Sequence, residues 1–229
     1  MALEYRNLDD VTRQLMAAEV AEDLRGNKLY FSPRLSPVGR AGWAELFAEA
    51  INANHDDWLA QEIYRRRFLN ETEERHYPAT GTVSVAKVPS NAHEVLAEGE
   101  FNRFYMRGIC LRAIDINTRP VAFRARYSEK PRSESERLIG QAFEPNALLA
   151  ALRAEPYVDK ALGMPLARIP DCRFTYRPKC PFEAMGGRRR DSLPKTLGHA
   201  ALDTAVSRIR MMVGLPVSNS RANADTASP

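Results

Sequence analysis

The sequence predicts an α+β fold dominated by helices, with a short two- or three-stranded sheet packed on one long central helix. Three observations carry that reading. Apolar residues recur at helical spacing through most of the chain. Strand-like alternation is confined to TVSVAKV (82–88), VAFRARY (121–127) and the brief RFTY (173–176). Between the first two of these lies the longest helical pattern, Asn91 to Asp115.

The elements follow in order. Asn7 reads as an N-cap, with Leu8, Val11, Leu15 and Ala18 as the apolar stripe of a helix that stops at Gly26. KLYFSPRLSPVGRAG carries two prolines and two glycines and predicts irregular structure, with Gly39 and Gly42 in turns. A second helix over 42–53 aligns Trp43, Leu46, Phe47, Ala50 and Ile51. A third opens at HDDW, where Asp56 and Asp57 favour a helix N-terminus, and runs to Phe68. NETEERHYPATG reads as a polar linker. Asn91 and Glu94 form a variant capping box for the long helix, and Ser133 with Glu136 forms another before the stop at Gly140. Pro145 starts a short helix through Leu148, Leu149 and Leu152. HAALDTAVSRIRMMVG resumes helical spacing near the end.

These elements divide into an N-terminal helical unit (1–76), an α+β core (77–215) containing a basic loop at 177–195, and a disordered tail (216–229) without large apolar anchors. Lys and Arg number 33 and Asp and Glu 29, but residues 1–76 hold 10 basic against 14 acidic side chains and residues 77–229 hold 23 against 15. The front is thus at −4 and the remainder at +8. Such asymmetry fits an anionic partner or two surfaces that attract each other. No apolar run reaches the roughly 18–20 residues of a membrane span, and MALEYRNLDD lacks the pattern of a signal peptide. Three cysteines without a dense framework fit a reducing compartment. The expected location is the cytoplasm, or a virion.

LAEGEFNRFYMRGICLRAID (96–115) is the segment richest in implications. Phe101, Phe104, Tyr105, Gly108 and Ile109 fall together on a helical wheel, and glycine inside a helix implies close approach by another backbone, the neighbouring strand being the expected one. Arg103 and Arg107 lie one turn apart beside that face. In one reading Glu100 and Arg103 form a local ion pair and Arg107 is solvated. In the other, Arg103 and Arg107 join Arg124 and Arg126 of the following strand in a cationic surface for phosphate or carboxylate groups. Arg188, Arg189 and Arg190 follow two glycines in the basic loop and form a second candidate, suited to non-specific nucleic-acid contact. RRRF at 65–68 is surrounded by glutamates and reads as a solvated helix end.

SPRLSPVGRAGW, LAEGEFNRFYMRGICLRAI and PRSESERLIG resemble a bacterial and phage-type protein family of no assigned activity, over roughly Leu8 to Leu162. The resemblance implies a virion, assembly or nucleic-acid context and supplies no cofactor or catalytic residue.

Motifs with a chemistry of their own are absent from the sequence. Cys172, Cys180 and His199 have poor zinc spacing, so no metal is expected. Cys110 reads as a core thiol. There is no phosphate-binding Walker loop, no dinucleotide fingerprint and no nucleophile elbow. The expectation is therefore a non-enzymatic structural or binding protein without cofactors, meeting nucleic acid or an assembly protein through Arg103, Arg107, Arg124, Arg126 and Arg188–Arg190. The alternatives are a metal-dependent hydrolase or nuclease, and a homo-oligomeric shell or scaffold component.

Overall fold

The fold is that of a computed structural model, which describes residues 3–77, 80–125, 133–163 and 174–178. Helix α1 covers Asp10–Arg25, capped by Asp9 rather than Asn7: the Asp9 carboxylate accepts the Thr12 N–H at 3.0 Å. Its buried residues are Thr12, Met16, Glu19, Val20 and Asp23, while Val11 of the expected stripe is 46% exposed. The helix is rotated relative to its apolar pattern because it turns two carboxylates inward.

Helix α2, Pro37–Ala53, begins five residues before its expected start. Ser36 caps it by accepting the Gly39 N–H at 3.1 Å, and Pro37 takes the first turn, where proline costs no hydrogen bond. Gly39 and Gly42 are helical, not turn residues, and Phe68 is the reason they are glycine. A Cβ at 39 would lie 2.1 Å from the Phe68 carbonyl oxygen, and one at 42 would lie 2.7 Å from its ring. Trp43, Leu46, Phe47, Ala50 and Ile51 are fully buried, as the spacing predicts.

After α3, Asp56–Arg65, the segment read as a linker forms strand β1, Thr72–Tyr77. It pairs antiparallel with β2, Thr82–Lys87, from Thr72↔Lys87 to Tyr77↔Thr82. Both strands are largely exposed, so β1 lacks the apolar alternation that marks a half-buried strand.

Helix α4, Ala92–Asp115, is the centre of the molecule. Its expected capping box does not form, since Asn91 makes no side-chain cap and has φ −95° and ψ 12°. Then come β3 (Pro120–Arg124), α5 (Ser133–Leu138), α6 (Pro145–Ala154), α7 (Val158–Ala161) and β4 (Phe174–Pro178). The α6 helix is capped by Glu144, which accepts the Ala147 N–H at 2.6 Å. Strands β3 and β4 pair antiparallel, from Pro120↔Pro178 to Arg124↔Phe174. Among the described residues the strands thus form two separate two-stranded sheets.

α4 touches α1, α3, α6, α7, β3 and β4. Accordingly residues from every side of it are buried, including Arg103, Met106 and Cys110 away from the expected apolar face. One continuous cluster of buried side chains runs from Met16 to Leu152, crossing residue 76 without a break. Phe47 bridges the layers: it stacks on Trp43 and meets Phe104 edge-on, each at 5.2 Å. Burial of each such ring contributes about 1.5–3 kcal/mol. Strand β3 is covered on both faces, with Ala122 in this cluster and Phe123 and Ala125 in a smaller one with Leu3.

Candidate functional site: the charged seam of the central helix

A 24-residue helix packed on all sides has no solvent-facing stripe for its charges, so they must be neutralised within the fold. Arg107, at 0% exposure, is held by α1. Its Nη1 and Nη2 donate to the two carboxylate oxygens of Asp23 at 2.6 and 2.9 Å, and its Nε donates to Glu19 Oε2 at 2.7 Å. The Glu19–Asp23 spacing of four residues puts both carboxylates on one face of α1, aimed at one guanidinium.

Glu19 has a second partner. Arg153 of α6 donates from Nη2 to Oε1 at 2.5 Å and from Nε to Oε2 at 3.0 Å. Burial by itself would raise the Glu19 carboxyl, but the Arg153 hydrogen bonds and the Arg107 charge together hold it below the usual carboxylate value. Three helices are therefore joined at one carboxylate.

Arg103 is also interior. Its Nη2 donates to Glu100 Oε2 at 2.6 Å, while its Nε lies buried without a hydrogen-bond partner. Both Arg103 and Arg107 sit over the Phe104 ring, 4.8 and 4.5 Å from its centroid. Burial pushes the Glu100 carboxyl upward against the opposing pull of Arg103 and Arg107. Burial, with Tyr157 and Glu100 nearby, pushes the Tyr30 hydroxyl up to about 12. Arg112 completes the α1 junction, donating to Asp9 Oδ2 at 2.7 Å and Thr12 Oγ1 at 3.1 Å. Cys110 is a core thiol, pushed up to about 12 chiefly by burial.

The expected cationic surface divides accordingly. Arg103 and Arg107 come together, but inside the molecule, where the anions they meet are this chain's own carboxylates. The local Glu100–Arg103 pair is present, whereas Arg107 is not solvated. Arg124 is on β3, with 20% of its side chain exposed and Nη2 3.5 Å from Glu136 Oε1. Arg126 and Arg188–Arg190 lie outside the described residues, as do the basic loop apart from the strand residues Arg177 and Pro178, Cys172, Cys180, His199 and the tail.

Sequence reasoning missed Glu19, Asp23 and Arg153. The available signal was the i, i+4 pair of acids on the polar border of α1, which apolar counting treats as solvent-facing. Among the described residues no group of His, Cys, Asp and Glu is placed to hold a metal ion, and no helix is long and apolar enough to cross a membrane. No protein-family model, curated protein or solved structure matches the chain.

Proposed function

We propose that this is a non-enzymatic structural or binding protein that works by contact with another macromolecule, in the phage or mobile-element setting that the sequence resemblance implies. The observation that carries the reading is the disposition of its charge. Arg107 and Arg112 of the central helix are consumed in binding α1, Arg153 ties α6 to the same carboxylate, and Arg103 is paired with Glu100 within α4, which supports reading the body as a scaffold. The positive excess left for a partner then belongs to the later chain, where residues 164–229 hold 11 basic residues against 5 acidic ones. Contact with nucleic acid accordingly rests on Arg126 and Arg188–Arg190, without Arg103 or Arg107.

Binding of the full chain to a labelled DNA duplex and to single-stranded RNA, followed by anisotropy across a salt series, tests this. Replacing Arg188, Arg189 and Arg190 together by alanine is expected to weaken binding. It should also reduce the slope of log K against log salt by about 2–3, the loss of three phosphate contacts. An unchanged slope removes the loop from the interface, and no binding by the wild type removes nucleic acid as the partner.

A further inference from the structure

We propose that the outer edge of β2 is a docking surface for a second copy of this chain, which pairs with it antiparallel to form a four-stranded sheet, β1–β2–β2–β1. The proposal deepens the structural reading above and rests on it, because it names the partner of one surface.

The argument starts from hydrogen-bond phase. Val88 N–H donates to the Glu71 carbonyl at 3.0 Å, which makes 71 and 88 a bonded pair. Bonded and non-bonded pairs alternate along an antiparallel ribbon. Glu73/Ala86, Arg75/Ser84 and Tyr77/Thr82 therefore spend their backbone groups on each other. Thr72/Lys87, Glu74/Val85 and His76/Val83 are the non-bonded pairs, whose N–H and C=O groups point outward. On the β2 side those outward groups belong to the two valines, Val83 and Val85, and to Lys87 at the strand's end, and no strand among the described residues takes them up. The side chains of the same two residues share one face and are 53% and 72% exposed.

An edge that has to stay single is normally guarded by charge, proline or a bulge. β1 carries such guards in Glu73, Glu74 and Arg75. The charge of β2 is confined to Lys87 at its end, and Thr82–Ala86 carries no charge, no proline and no bulge. A two-stranded ribbon is also marginal by itself, and adding strands stabilises it.

Self-pairing fits this edge in particular. Two antiparallel copies related by a twofold axis through Ser84 place Val83 opposite the partner's Val85, and Val85 opposite the partner's Val83. The outward backbone groups of these residues are in phase to bond, and all four valines gather on one face. Lys87 falls opposite the partner's Gly81, so no like charges meet. Ser84 faces its own counterpart in a non-bonded pair, where Cα atoms are about 4.5 Å apart. So short an interface belongs to the weak, transient class.

Sedimentation and light scattering of the full 25.8 kDa chain over a concentration series give the first readout. A monomer–dimer equilibrium is expected. Val85→Pro deletes one outward N–H and leaves the β1–β2 bonds intact. It is expected to raise the dissociation constant at least about tenfold, with far-UV circular dichroism unchanged. Ser84→Cys gives an independent readout, since it is expected to form a disulfide-linked dimer under mild oxidation beyond the wild-type background. Thr82→Cys, which the same register separates from its counterpart, is expected not to. A wild type that remains monomeric at roughly 100 µM overturns the proposal, whatever else binds the edge. So does a dimer that Val85→Pro leaves unaltered, or crosslinking by Thr82→Cys equal to that by Ser84→Cys. None of these outcomes touches the salt-dependence test of nucleic-acid contact.

Discussion

A guanidinium with no exposed surface must find its counter-charges inside the protein, and Arg107 finds Asp23 and Glu19. Each of its three nitrogens donates to a carboxylate, which offsets much of the cost of burying the cation. The consequence for pH follows from Glu19. Its folded-state value lies below the ordinary one, so its contribution to stability is complete above the usual carboxylate range and is lost as pH falls through the folded value. Glu19→Gln is expected to lower unfolding free energy by about 2 kcal/mol at neutral pH, and by less in acid, as pH falls below the usual carboxylate range. Urea titrations at neutral and acid pH check this; an equal loss at both would mean that the charge of Glu19 contributes nothing. The residue types of this network are plain in the sequence, but their meeting is not. Glu19 and Arg107 are far apart along the chain, and an inward-facing carboxylate has the same local pattern as a solvated one.

At the scale of elements, the two glycines of α4 have different reasons to exist. A Cβ at Gly108 would lie 3.0 Å from Met16 Cγ and 3.1 Å from the Thr12 carbonyl, so α1, not a strand, makes the close approach. A Cβ at Gly99 would meet nothing within 4 Å. Gly99→Ala is therefore expected to stabilise the protein by up to about 1 kcal/mol through helix propensity alone. Gly108→Ala is expected to destabilise it by about 1–3 kcal/mol, because the Thr12 backbone has to give way. Thermal or denaturant unfolding of the two variants checks the pair of signs, and stabilisation by both would place α1 farther from α4 than described. Helices α2, α4 and α6 were legible because their large apolar residues repeat at helical spacing, and the stop at Gly140 because its φ of +81° suits glycine. The α2 start was hidden by its proline and glycines, whose usual meaning is a turn. The β1 strand was hidden because a solvated ribbon carries no period-two pattern. The face of α1 was misjudged for the same reason that Arg107 was: apolar counting has no entry for a buried ion pair.

For the whole molecule, Arg107 of α4 is the residue that holds the helices together. The buried cluster runs unbroken from Met16 to Leu152, and the Arg107–Glu19–Arg153 chain ties α1, α4 and α6 across it. On the proposed reading, a helical body closed in this way leaves recognition to its periphery, to the β2 edge and to the basic residues of the later chain. The most direct measurement is a double-mutant cycle by urea unfolding with Arg107→Met, with Glu19→Gln and Asp23→Asn together, and with all three changes. Arg107→Met alone is expected to cost about 3–5 kcal/mol, since it strands the buried Asp23 carboxylate and leaves Glu19 with Arg153 alone, and the triple variant is expected to be the more stable of the two. An Arg107→Met variant as stable as the wild type, with no coupling to the acids, would contradict the account.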